Sequence, residues 1–258
     1  KIYLLELTEN SFTEKMTLTE TRNVMTNSLN RYGDNGIMFG DYYANGDHRP
    51  VYLYYTDDLS TTPIKRINIQ SFVKCRHIHN VQHISELRRI FVSTGDYDGE
   101  CWILEFDHSF NLLKVHGDGT QNFRTCSVHF HNHYLYWGMD SPLNSSFVIR
   151  YNPNNGSYKK VCKLDGPCWY SIRQKNLLIL STANEPSEIA ANATLTVLNL
   201  SNGLLVEKEK FIKDFWPYVF KFGTVSIKET NDCDAVWMGY EAIKGYDGLS
   251  ICLEIIEE

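Results

Sequence analysis

No run of apolar side chains in these 258 residues approaches the eighteen or so that a membrane-spanning helix needs. The chain also has no basic excess. Its formal net charge is −6, and its 25 Lys and Arg are scattered, so the electrostatic footprint of a nucleic-acid or anionic-membrane binder is missing. Neither partner is expected. The N-terminus shows no charged region followed by an apolar core and a small-residue cleavage site. Because Lys1 rather than Met opens the sequence, an address signal removed by processing is compatible with it. The seven cysteines form no Cys-x-x-Cys pair, their number is odd, and most sit in apolar runs such as SICLEI and KVCKL. That is the pattern of small buried thiols in a reduced compartment, and a cytoplasmic location is expected. The sequons at Asn144, Asn155, Asn192 and Asn199 point the other way, although such tripeptides arise readily in Asn/Ser-rich turns. Also missing are HExxH, a nucleophile elbow, a P-loop and a dinucleotide-binding fingerprint, which removes the commonest hydrolase, kinase and dehydrogenase chemistries.

What is present is repetition. The stretch SVHFHNHYLYWGMDSPLNSSFVIRY (127–151) alternates apolar and polar residues, reaches an acid at Asp140, breaks at Ser141-Pro142, and resumes before the turn Asn152–Gly156. Period-two runs cut by Pro, Gly and Asn are strands joined by tight turns. Four other stretches repeat the pattern: GIMFGDYYANG with Asp41, RRIFVSTGDYDGE with Asp96, NLLILSTANEPSE with Glu185 and DAVWMGYEAIKG with Glu241. The acids recur at intervals of about 45 residues, two of them lengthened by insertions. One strand-rich unit per period is the signature of a propeller, in which no sheet buries both faces unless its neighbours stack around a ring.

The expected fold is therefore all-β: a five-bladed β-propeller of four-stranded antiparallel blades in a single domain spanning 1–258. With 43% hydrophobic and 13% aromatic residues the chain can bury a sizeable core, and no segment has the composition of a disordered tail. KIYLLELTENSFTEKMTLTE supplies two strands at one end, and 220–227, 235–241 and 249–256 supply three at the other. Pairing of the N- and C-terminal strands is expected to close the ring and remove exposed edges. A sixth, truncated blade is the alternative.

The outer hairpins YYTDDLSTT, EFDHSFNLL, RYNPNNGSY and LNLSNGLLV all place Asp, Asn, Ser or Gly at the turn, where side chains bond their own backbone. TDDLSTT and FDHSFN resemble eroded forms of the Asp-box, the Ser-x-Asp-x-Gly-x-x-Trp hairpin of sialidase-like propellers. The arrangement RHIHNVQ…STGDYDGE…ILEFDHS is similar to that of bacterial sialidase-like, BNR-repeat propellers without an assigned activity, over roughly residues 23–258. Leu59 and Pro63 stand where the box has Gly and Trp. The resemblance implies the propeller architecture. The sialidase activity it also implies needs an arginine cluster on inner positions and a Tyr/Glu pair, and three such arginines cannot be assigned here.

Two sets of residues carry candidate chemistry. In a propeller the loop after the second strand of each blade opens on one face, so Asp41, Asp96, Asp140, Glu185 and Glu241 are expected to ring the channel mouth. Carboxylates there either cap the following turn or converge. If they converge, neighbouring carboxylates can serve as acid and base in inverting glycoside hydrolysis, with like-charge proximity raising one pKa. Alternatively they accept hydrogen bonds from sugar hydroxyls while Tyr97, Trp102 and Trp137 offer ring faces, as in a lectin. The second set is histidine. His77 and His79 share one face of their strand, as do His129, His131 and His133, and the two strands are inner strands of consecutive blades. His79 and His131 are candidate substrate contacts, and His77, His79 and His131 are candidate ligands of a divalent metal in or near the central channel. Satisfaction of these rings by neighbouring strands is the competing explanation. The expected partner is a glycan or another small molecule. A protein-interaction scaffold, marked by a broad exposed aromatic patch and no pocket, is the other class.

Overall fold

A computed structural model describes residues 2–6, 11–18, 23–25, 28–186, 192–229 and 235–254. The described residues are all-β, and five of their six sheets are the blades of a five-bladed β-propeller. It divides into two compact units, Lys1–Phe123 and Arg124–Glu258.

In the first unit, β1 (Ile2–Glu6) and β2 (Ser11–Met16) pair with each other as a separate two-stranded hairpin. The first blade is β3 (Asn30–Tyr32), β4 (Gly36–Gly40), β5 (Tyr52–Thr56) and β6 (Lys65–Asn68), in sequence order and antiparallel throughout. The second is β7 (His77–Ile84), β8 (Arg89–Gly95), β9 (Cys101–Phe106) and β10 (Leu112–Gly119). Between these two blades lies the core that every alternate apolar residue faces, including Met38, Leu53, Ile78, Val81, Val92, Leu104 and Phe106. Fully burying such side chains contributes about 1.5–3 kcal/mol each, which is why a sheet of this kind does not stand alone.

The second unit holds three blades. They are β11 (His129–His131), β12 (Tyr134–Gly138), β13 (Phe147–Tyr151) and β14 (Tyr158–Lys163); β15 (Cys168–Gln174), β16 (Leu177–Thr182), β17 (Ala193–Asn199) and β18 (Leu205–Phe211); and β19 (Thr224–Glu229), β20 (Ala235–Glu241) and β21 (Ser250–Glu254). One core cluster joins Tyr136, Val148, Leu178 and Leu180, and a second joins Ile179, Leu195, Phe211, Val225, Met238 and Ile243. The last sheet has three strands among the described residues, and the expected ladder from an N-terminal strand to it is not among the described pairings. Ile2–Glu6 pairs with Ser11–Met16, its nearest neighbour along the chain.

Four of the five blades carry the same device at the hairpin between third and fourth strands. Asp58 Oδ1 accepts from Ser60 N–H at 2.8 Å, Asp107 Oδ1 from Ser109 N–H at 2.8 Å, Asn152 Oδ1 from Asn154 N–H at 2.9 Å and Asn199 Oδ1 from Ser201 N–H at 2.9 Å. The Asp and Asn residues read from the sequence as turn formers are therefore Asx turns, with the side chain replacing a backbone acceptor. Among the described residues no helix is long and apolar enough to cross a membrane.

Candidate functional site

The five acids occupy one topological place. Asp41 follows the last residue of β4, Asp96 the last residue of β8, Asp140 lies two residues past β12, Glu185 three past β16, and Glu241 closes β20. Their surroundings differ. Asp41 is fully buried and its Oδ2 accepts from Tyr52 N–H at 2.9 Å, so it fixes the start of the adjacent strand. Asp140 is buried beside Arg124, whose Nε stands 3.4 Å from Oδ2, and Cys126 Sγ lies 3.5 Å from the same oxygen. Burial pushes the Cys126 thiol well above its ordinary range, and the Asp140 charge adds to this. Glu185 is half-buried and Glu241 exposed.

Asp96 is different again. Its Oδ1 lies 3.2 Å from His77 Nε2 and 3.2 Å from His79 Nε2, and those two nitrogens are 3.1 Å apart. Burial alone would raise the carboxyl's pKa, but the hydrogen bonds and charges of the two imidazoles outweigh it and hold the group well below the carboxylate range. Both histidine side chains are almost entirely buried, whereas a quarter of the Asp96 side chain reaches solvent. The strand geometry explains the convergence. His77 pairs with Gly95 and Ile78 with Thr94, but Asn80 pairs with Ser93, so His79 is the extra residue of a β-bulge. A bulge re-aims the side chains around it. Side chains two apart on a regular strand are spaced about 6.6–6.8 Å, yet the two imidazole centroids are only 5.0 Å apart. The Tyr42 ring packs over His77 at 4.4 Å and over His79 at 6.2 Å, and the Tyr43 carbonyl accepts from His77 Nδ1 at 2.9 Å. The turn after β4 thus supplies one wall and the turn after β8 the carboxylate. Ile78 N–H donates to the Asp41 carbonyl, which locks the two blades at this level.

Beside the cluster, Tyr97 exposes about half its surface and has the Arg76 guanidinium 4.5 Å from its ring centroid. Arg76 also faces the buried Glu100, with Nε 3.5 Å from Oε2, and His48 Nε2 is 3.7 Å from Oε1. This cationic setting around Tyr97 and Glu100 was not legible from spacing.

The other expected site residues are placed elsewhere. Trp137 is completely buried, stacked obliquely on Tyr151, so it offers no ring face to a ligand; the apolar pressure that put it on an inner strand also removed it from solvent. Trp102 packs against the first unit's core and donates Nε1–H to the Gly99 carbonyl at 3.2 Å. His131 is buried with its Nε2 2.9 Å from Asn132 Nδ2, and it belongs to no described group that includes His77 and Asp96. The third donor beside His77 and His79 is Asp96, which follows directly on the strand paired with theirs. Sequence reasoning also passed over the segment FWPYVF, four aromatics in six residues. Phe215, Trp216, Tyr218 and Phe220 are exposed, and Phe215 stacks on Trp216 at 5.5 Å.

No protein-family model matches the chain, and no curated protein matches it. Solved structures do. Kuenenia stuttgartiensis hydrazine synthase aligns at 10% identity and a TM-score of 0.53, over 85% of this chain and 55% of that one. Kluyveromyces lactis Hsv2 aligns at 14% identity and a TM-score of 0.50, over 99% of this chain and 68% of that one. The chain therefore spans little more than half the length of the first. A Parabacteroides distasonis protein named as an unproven glycoside hydrolase aligns at 11% identity and a TM-score of 0.47, over 99% and 92% of the two chains. At these identities the likeness concerns the fold alone.

Proposed function

We propose that this propeller is carbohydrate-directed and seats a glycan at the Asp96–Tyr97 corner of the first unit. The observation that supports the reading is the adjacency of a carboxylate partly open to solvent and a half-exposed aromatic ring, with Tyr42 and two imidazoles beneath. Sugars present hydroxyls to acceptors and C–H faces to rings, and this corner offers both chemistries. The other acids of the blade ends support the fold in their own ways: Asp41 holds Tyr52, and Asp140 holds Arg124. A glycan array with the purified chain, followed by a hydrolysis screen on each hit, tests the reading. Binding is expected, and Tyr97→Ala is expected to weaken it by tenfold or more. An array without hits, or hits indifferent to Tyr97→Ala, would overturn it.

A second reading, a protein-interaction scaffold, is favoured by the exposed 215–220 segment in the second unit. Phe215, Val219 and Phe220 are each at least 70% exposed there. Contiguous apolar surface of this kind is characteristic of interaction sites. Glycan hits that survive Tyr97→Ala but vanish in Phe215→Ser/Phe220→Ser would transfer the ligand site to that segment.

A further inference from the structure

We infer that His77 Nε2, His79 Nε2 and Asp96 Oδ1 form a three-ligand site for a divalent transition-metal ion, open on the side where Asp96 meets solvent. The inference goes beyond the glycan reading and stands without it.

The Tyr43 carbonyl can only accept, so the 2.9 Å contact from His77 Nδ1 places that ring's hydrogen on Nδ1. In the neutral ring Nε2 is then a bare lone pair, and it faces Asp96 Oδ1 at 3.2 Å and His79 Nε2 at 3.1 Å. His79 Nε2 in turn lies 3.2 Å from the same carboxylate oxygen. A hydrogen bond prefers a donor angle above about 150°, so one N–H serves one edge of this near-equilateral triangle and cannot serve two. With His77 neutral its Nε2 lone pair points at the carboxylate, and with His77 protonated the proton sits where a metal ion would, so in either state the three atoms converge on one positive charge. A cation seated above the three atoms satisfies all of them at once.

The dimensions fit. Nitrogen and oxygen ligands about 2.0–2.1 Å from a tetrahedral ion lie about 3.3–3.4 Å from one another, close to the 3.1–3.2 Å edges found here. Two imidazoles with one carboxylate select ions such as zinc, iron or cobalt over calcium and magnesium, which prefer all-oxygen shells. The Nδ1–H bond from His77 to a backbone carbonyl is the outer contact that habitually orients a ligating imidazole. With three protein ligands and a solvent-facing side, the remaining positions are left for water or a ligand oxygen, which is the arrangement of catalytic rather than structural centres.

The probe is the metal alone. Purified chain stripped by chelator and dialysed against Zn²⁺ or Co²⁺ is expected to retain one equivalent at this site. The Co²⁺ form is expected to show visible d–d absorption without a thiolate charge-transfer band. His79→Gln and Asp96→Asn are each expected to weaken binding more than about tenfold, the loss that even outer partners of a ligand produce, while His131→Gln retains parental affinity. Circular dichroism of the metal-free variants establishes that they are folded. Failure of the parent to retain metal, parental affinity in both folded variants, or a thiolate band in the parent's Co²⁺ spectrum would each overturn the inference, and none of the three depends on a glycan being identified.

Discussion

Gly138 lies directly against Cys168: a β-carbon built on the glycine would stand 2.5 Å from the cysteine sulfur and 2.9 Å from Leu180 Cδ2. The counterpart in the first unit is Gly40, where the added carbon would stand 2.4 Å from Ile78 Cγ2. Both glycines end the second strand of a blade, and both receive the first strand of the next one. The repeat thus uses a missing side chain to bring consecutive sheets into contact.

Replacing either glycine with alanine is expected to cost about 1–3 kcal/mol, the usual penalty of forcing volume into a packed core. Gly46, whose added carbon meets nothing within 4 Å, is the control and should change stability little. Urea unfolding of the three variants decides the matter. Gly40→Ala and Gly138→Ala proteins as stable as Gly46→Ala would show that the sheets separate freely at this level.

The acids at the blade ends are expected to respond unequally to loss of charge. Asp41→Asn disturbs a buried acceptor of Tyr52 N–H, and Asp140→Asn takes the carboxylate from Arg124, so each should cost about 1–3 kcal/mol. Glu241→Gln, on an exposed side chain, should stay within about 0.5 kcal/mol of the parent. Equal losses at all three positions would point to a uniform capping role, and a gain in stability at Asp140 would point to crowded like charges.

The His129 imidazole has its Nε2 2.9 Å from Ser171 Oγ, and burial followed by the nearby Arg173 charge pushes its pKa down to about 3. The unfolded chain therefore takes up a proton near pH 6.5 that the folded chain refuses until about pH 3. Stability from this group is complete above pH 6.5 and declines as the pH falls toward 3, with about 2 kcal/mol gone by pH 5. Comparing parent and His129→Gln by urea unfolding at pH 7.5 and pH 5 isolates the contribution. A variant whose pH dependence matches the parent's would remove His129 from the account.

Much of the architecture was written in local order. The alternation of YLYWG and LLILST, the Asp and Asn residues opening each outer hairpin, and the recurrence of an acid after each second strand are short-range patterns, and strands and Asx turns form from short-range chemistry. The spacing of His77 and His79 likewise put them on one face before any partner was known. Tertiary structure decided what that face meets. A bulge at His79 depends on how β7 registers against β8, and only that register brings Asp96 to both imidazoles while His131 turns to Asn132. Burial of Trp137 against Tyr151 was likewise undecidable from its neighbours in sequence, because an aromatic on a strand serves a core or a ligand equally well until the next sheet covers it. The N-terminal hairpin belongs with the local patterns: β1 and β2 lie a few residues apart, so closing them costs little entropy, whereas the partners of a bulged strand depend on the rest of the fold.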